Sequence, residues 1–215
     1  MFVLTVDQRQ STTRGDLVPE LLVAASRWTD RLEGVELPFE RTVGDEVQAV
    51  VSSPRSALVL VLEILRTGGW RTGLGVGEVR TPLPPHSREA SGPAFVRARS
   101  AIDRAKKRSS AVPLAVEGPD RGESADVEAL LHLLGAIVER RTAAGWEVVD
   151  LLDGDRGAEP LSQQEAARRL GLSAQAVSQR VRASLWAEER AAWPLATRLL
   201  AALDAGATTG EGASV

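Results

Sequence analysis

Residues Leu161–Arg182 read LSQQEAARRLGLSAQAVSQRVR, and no other stretch restricts the local structure of the chain as much. Ser162 followed three positions later by Glu165 is a capping box, which marks the start of a helix. Ala166, Ala167 and Leu170 give that helix a small, close-packing inner face. Gly171 stands where the chain must turn sharply, and Leu172 plugs the core behind it. Ser173 then caps a second helix that turns Val177 and Val181 inward. Two short capped helices joined by a glycine turn are the layout of a helix-turn-helix.

The chemistry of this unit lies in what the Val177–Val181 stripe leaves outside. Ser173, Gln175, Ala176, Ser178, Gln179 and Arg182 fall there. A glutamine can pair with the edge of adenine in the major groove, and an arginine can take guanine or a phosphate. Arg168, Arg169, Arg180 and Arg182 outnumber Glu165, so the unit is cationic in a 215-residue chain whose net charge is −3. That net charge excludes a strongly basic nucleic-acid coat and leaves room for a local basic face. Double-stranded DNA is the expected partner, contacted by Ser173, Gln175, Ala176, Ser178, Gln179 and Arg182 together with Arg169. The competing reading is a plain three-helix bundle with a solvated arginine face. Beyond Arg182, Leu185, Trp186, Trp193, Leu195, Leu199 and Leu200 make an apolar helix, which Pro194 is expected to interrupt. That helix serves either a dimer interface, which two DNA half-sites require, or the core of its own domain.

Upstream, strand and helix signals alternate. Phe2–Val6 is a short β-prone run closed by Asp7, and Asp16 caps a helix with Pro19 in its first turn. Leu37–Val43 and Val47–Ser52 read as strands around a Gly44-Asp45-Glu46 tip. Pro54 opens a helix that Gly68-Gly69 ends; Trp70–Val79 is a glycine-rich strand, Gly92–Lys107 a helix and Ala111–Val116 a last strand. The order β-α-β-β-α-β-α-β begins as a split βαβ, the ferredoxin-like arrangement with helices on one face of an antiparallel sheet. The polar stretch 118–124 is expected to be a linker, and from residue 125 the pattern is purely helical. Residues 205–215 are nearly devoid of large apolar side chains and are expected to be a disordered tail.

The absence of cysteine excludes disulfides, thiolate zinc sites and a cysteine nucleophile. No apolar run approaches the roughly 20 residues that span a bilayer, and MFVLTVDQRQ is unlike a leader peptide. A cytoplasmic location, with no membrane partner, is therefore expected. Asp7 closes the first strand and Asp45 sits at the tip of the neighbouring hairpin, so the two carboxylates could hold Mg²⁺ against a nucleotide. Glu46 and Arg41 complete that candidate site, with Asp7 and Asp45 as metal ligands. Alternatively, Gly44-Asp45 is only a turn pair, and Gly73, Gly75 and Gly77 read better as close-packing positions than as a phosphate cradle. The basic run Arg97, Arg99, Arg104, Lys106, Lys107, Arg108 reads as a solvated helix face, with an anionic ligand or DNA phosphate as the alternative.

Three blocks in residues 1–117, RTVGDEV, GLGVGEV and GPAFVRARSAIDRAKK, resemble the class III nucleotidyl cyclases and their GGDEF relatives. The resemblance implies a cyclase-like palm. The cyclases carry an asparagine and an arginine on the last helix, where this chain has Val96 and Ser100, with Arg97 and Arg99 one residue away. Losing those groups removes transition-state charge stabilisation, so a catalytically degenerate palm with no catalytic residue is implied. Over its whole length the chain resembles the SatD-like bacterial proteins, through GDEVQ, GLGVGEV, GPAFVRAR and AVSQR in that order. The expectation is an α+β protein: a ferredoxin-like domain over 1–117, a linker over 118–124, an all-α helix-turn-helix domain over 125–204 and a tail over 205–215. Its expected role is that of a homodimeric transcriptional regulator whose palm dimerises and, where a nucleotide binds, senses it. The alternative is a metal-dependent nucleotidyl cyclase or related phosphotransferase with an appended DNA module.

Overall fold

The computed structural model describes residues 1–107, 110–154 and 159–210. The first strand, β1 (Phe2–Gln8), is buried along its whole length. A strand buried on both faces, its polar Thr5, Asp7 and Gln8 included, lies between two covering layers. The remaining strands are β2 (Val35–Arg41), β3 (Glu46–Val51), β4 (Trp70–Val76) and β5 (Leu114–Glu117). They form one sheet in the order β2-β3-β1-β4-β5, with β1 at its centre. β1 runs antiparallel to both β3 and β4, β2 and β3 form an antiparallel hairpin, and β5 joins β4 in parallel. Helices connect and follow the strands: α1 (Ser11–Arg14), α2 (Val18–Thr29), α3 (Pro54–Thr67), α4 (Pro93–Lys107), α5 (Arg121–Arg140), α6 (Ala143–Asp153), α7 (Gln163–Leu170), α8 (Ala174–Ala183) and α9 (Trp186–Gly210). The fold is thus mixed α/β.

The sheet is covered on both faces, not on one as the sequence suggests. Phe2, Leu4, Val6, Leu74, Val76, Leu114 and Val116 project to one side, against Leu58, Val61, Ile64 and Leu65 of α3. On the opposite side Val3, Leu37 and Val50 meet Ala94 and Ala98 of α4. The glycines of β4 explain how close α4 lies. A Cβ placed on Gly75 would stand 2.1 Å from the Ala94 carbonyl oxygen, and one on Gly73 would stand 2.4 Å from the Ile102 nitrogen. The α4 backbone therefore rests directly on the strand and fills the space that a phosphate cradle would need.

The first layer does not end with the sheet region. Leu131 and Leu134 of α5 and Trp193, Leu200 and Leu203 of α9 belong to the same buried cluster as the strands. Residues 118–124, expected to be a linker, are instead a short turn and the first turn of α5. Asp120 caps that helix by accepting from the Glu123 N–H at 2.8 Å, and the buried Ser124 hydroxyl accepts from the Gly118 N–H at 2.9 Å. Pro194 lies inside α9 without ending it. The missing N–H costs one helical bond, while Trp193, Ala196, Leu200 and Leu203 stay buried along the helix. The break comes earlier, at Leu185, which adopts φ 51° between α8 and α9. Residues 205–210, expected to be disordered, continue α9 and bury Ala207; the rest of that expected tail, 211–215, lies outside the described residues. Strand β4 stops at Val76 rather than Val79, because the chain turns away and Glu78 accepts from the Ala94 N–H at 3.1 Å. Among the described residues no helix is long and apolar enough to cross a membrane.

Candidate functional site

Two places gather the residues that the sequence singles out. The first is the surface of α7 and α8. Ser162 and Glu165 form the capping box in full: the Ser162 hydroxyl accepts from the Glu165 N–H at 3.2 Å, and the Glu165 carboxylate accepts from the Ser162 N–H at 2.8 Å. The Ser162 hydroxyl, which donates to that carboxylate at 2.7 Å, and then the Ser162 N–H hold the Glu165 carboxyl below its ordinary pKa. Gly171 ends α7 at φ 65°, a left-handed conformation that glycine adopts without steric penalty. Ser173 caps α8 by accepting from the Ala176 N–H at 3.1 Å. Ala166, Ala167, Val177 and Val181 bury against Val148 and Leu152 of α6, forming a core separate from that of the sheet.

This packing fixes what α8 presents outward. Gln175, Gln179 and Arg182, spaced i, i+4, i+7, share one exposed face. Ser173 and Arg169 are exposed beside it, whereas Ala176 and Ser178 are half-buried at its edges. The four arginines of the segment divide. Arg180 donates to Glu147 of α6 at 3.0 Å and is neutralised there. Arg168, Arg169 and Arg182 have no ion pair among the described residues.

A buried pair anchors the far end of α8. The Arg141 side chain is 1 % exposed and ion-paired with Glu189, which is 6 % exposed. Arg141 also donates twice to the Ser184 carbonyl, at 3.1 and 3.0 Å, and Ser184 is the residue that closes α8. Neither Arg141 nor Glu189 stands out in the sequence. Its only trace is the apolar surroundings of Glu189, which are shared by many surface glutamates on amphipathic helices.

The second place is the hairpin tip. Register sets Asp7 opposite Glu46 on one neighbouring strand and opposite Arg71 on the other. The Gln8 N–H donates to the Asp45 carbonyl at 3.4 Å, so the tip is drawn against the end of β1 as the sequence suggests. A pocket of about 360 Å³ opens there, lined by Asp7, Thr42, Val43, Asp45, Glu46, Arg99 and Lys106. Its carboxylates are largely engaged. Asp7 accepts from Lys106 at 2.7 Å and stands 3.6 Å from Arg71. Glu46 accepts from Arg99 and from the Thr42 hydroxyl, both at 3.0 Å. Only Asp45 has no cationic partner among the described residues.

As arranged, this set does not fit a bare divalent cation, because Lys106 already neutralises Asp7. Among the described residues no group of three or more histidine, aspartate or glutamate side chains is placed to hold a metal ion. Arg41, expected in this site, lies outside the pocket and clasps Asp16 through two bonds of 2.8 and 2.7 Å. That guanidinium, aided by the Val18 N–H, holds the Asp16 carboxyl below its ordinary pKa. Val96 and Ser100 are exposed on α4 outside the pocket, and Arg97 donates to the Val76 carbonyl at 2.9 Å. Arg71 is a site residue that sequence reasoning misses. Arg99 and Lys106 enter that reasoning in a basic run, whose Arg108 lies outside the described residues, and not as part of this pocket. Arg99 and Lys106 stand seven apart on one helical face, a spacing that could have suggested their shared direction.

A model of the SatD family matches residues 6–187, which take in both places. The chain belongs to the SatD family. The match runs from the last strand turn of β1 through the start of α9, so the hairpin pocket and the α7–α8 surface of this SatD-family protein are parts of one family unit. Neither the curated proteins nor the solved structures yield a match.

Proposed function

We propose that this SatD-family protein is a homodimeric, DNA-binding transcriptional regulator in which α7 and α8 form a helix-turn-helix and α8 enters the major groove. One observation carries this reading: Gln175, Gln179 and Arg182 form an exposed polar row on α8, flanked by Arg168 and Arg169, which make no ion pair among the described residues. Glutamine and arginine side chains on an exposed recognition helix are suited to read base edges, and the unpaired arginines are suited to hold phosphate. The capping box, the left-handed Gly171 and the small core of Ala166, Ala167, Val177 and Val181 support the motif.

The sheet unit supports a ferredoxin-like, cyclase-derived palm. Read from one side, its strands run β4-β1-β3-β2, with α2 and α3 as the two split crossovers. The ion pairs on Asp7 and Glu46, together with Val96 and Ser100 where the cyclases carry polar groups, support a palm that does not turn over. Its remaining uses are dimerisation and nucleotide sensing, the latter through Arg99 and Lys106 as phosphate partners. The enzyme reading retains one supporting observation, the convergence of Asp7, Asp45 and Glu46 on a single pocket.

The test is to mix the protein with fragmented genomic DNA, recover the bound fraction and sequence it. Enriched fragments sharing paired half-sites about 10 bp apart, or a multiple of that spacing, are expected. Recovery of fragments without any shared sequence overturns the regulator reading.

A further inference from the structure

A further cavity lies apart from the two places above. A groove of about 710 Å³ lies between α2 and α3 on one side and α6 and α9 on the other. Three of the five tryptophans line it, Trp28, Trp146 and Trp193. Guanidinium groups cover two of those rings: Arg66 and Arg141 lie 3.8 and 4.3 Å from the Trp146 centroid, and Arg190 and Arg55 lie 4.0 and 4.4 Å from that of Trp193. A site of this volume suits a small organic ligand.

The arginines are not equivalent. Arg66 is paired with Asp150 at 2.7 Å, Arg190 with Asp153 at 3.0 Å, and Arg141 with Glu189. Arg27 and Arg55 face the same groove with no ion pair among the described residues. Burial, and then the like charge of Arg190, lower the pKa of Arg55, and Asp153, itself paired with Arg190, offsets this only in part. A guanidinium stacked on an indole keeps its other face and its N–H edge available for a flat ring and for a carboxylate or phosphate.

We propose that this groove is a binding site for a planar organic anion, a flat ring bearing a carboxylate or a phosphate, with Arg55 and Arg27 taking the anionic group and the tryptophan–arginine stacks taking the ring. The site is built by residues on both sides of 118–124, and it shares none with the hairpin pocket.

The test uses the full chain with AMP and benzoate as separate probes, and with inorganic phosphate and adenosine as half-ligands. Indole N–H NMR resonances report the site. Those of Trp28, Trp146 and Trp193 should shift saturably below about 1 mM for at least one full probe, while that of Trp70, buried in β4, stays in place. Each half-ligand should bind at least tenfold more weakly. Arg55→Met, an exposed position in a well-packed helix, should weaken binding at least tenfold without moving the thermal midpoint. AMP binding alone identifies a phosphate ligand, and benzoate binding alone a carboxylate ligand. No saturable shift with either full probe overturns the proposal, as does equal binding by the Arg55→Met variant. None of these readings depends on whether the protein binds DNA.

Discussion

Removing Arg141 is the substitution whose cost the structure specifies most fully. Its guanidinium, 1 % exposed, is ion-paired with Glu189 and donates to the Ser184 carbonyl at 3.1 and 3.0 Å. Arg141→Ala leaves the Glu189 carboxylate buried with, among the described residues, only the Trp193 indole N–H, at 3.2 Å, to satisfy it. It also leaves the closing carbonyl of α8 without these donors. Breaking one side of a buried pair costs about 3–5 kcal/mol. For a chain of this size each kcal/mol lowers the thermal midpoint by about 2–4 °C, so a fall of about 6–20 °C follows. The double variant Arg141→Met/Glu189→Leu removes both charges and fills their volume, and most of the loss should return, because an apolar replacement of a buried pair is often neutral. Calorimetric melts of the parent, both single variants and the double variant at neutral pH measure this. A single variant within about 2 °C of the parent, or a double variant as unstable as the worse single, refutes the reasoning.

Further outcomes follow from other parts of the structure. Gly75→Ala sets a methyl 2.1 Å from the Ala94 carbonyl oxygen and should destabilise by at least about 1–3 kcal/mol as α4 is forced off β4, seen in urea melts. Gly171→Ala meets no neighbouring atom but must hold φ 65°, so chemical denaturation should show a smaller loss of about 1 kcal/mol. Because the capping box lowers the pKa of Glu165, its contribution is present above pH 4.5 and is lost as pH falls through the lowered value. The midpoint difference between parent and Glu165→Ala should therefore shrink on acidification, and a difference that grows with acid contradicts the capping role. Lys106→Met removes the nearer of the two cations on the Asp7 carboxylate, leaving Arg71 at 3.6 Å, and should raise Mn²⁺ affinity, measured by electron paramagnetic resonance. Incubation of the parent with ATP or GTP and Mg²⁺ should yield no cyclic nucleotide; product that disappears in Asp45→Asn would favour the enzyme.

The order of elements was legible because each carries its own local signal. Pro54 and Ser53 begin α3, the glycine pair closes it, and the Gly44 turn joins β2 to β3. What failed involved tertiary partners. The run FVLTVDQ carries polar Thr5, Asp7 and Gln8, and the order of elements suggests helices on one face only; the side taken by α4 depends on the missing Cβ atoms of Gly73 and Gly75. The stretch 118–124 is polar because the first turn of α5 exposes Arg121, Gly122 and Glu123, so composition alone suggested a linker where Asp120 caps a helix. Pro194 misled for the same reason: Trp193, Ala196, Leu200 and Leu203, packed in the cluster that includes the strands, sustain a helix that local propensity would end.

The α7–α8 surface was legible in detail because caps, glycine and apolar stripe are all local, and they set which side chains face outward. The hairpin pocket was half legible. Asp7, Asp45 and Glu46 follow from strand order, but Lys106 and Arg99 reach it from a helix whose face could not be assigned, and Arg41 is turned away by Asp16.

The central claim is tested most directly by measuring the affinity for an enriched genomic fragment as a function of salt, for the parent, Arg182→Ala and Gln179→Ala. The account predicts a linear fall of log affinity with log salt. Arg182→Ala should weaken binding at every salt, and Gln179→Ala should reduce preference over unrelated DNA by about 1–3 kcal/mol while leaving the salt slope unchanged. Binding that is indifferent to sequence at about 0.15 M salt, or both variants binding as the parent does, would contradict it.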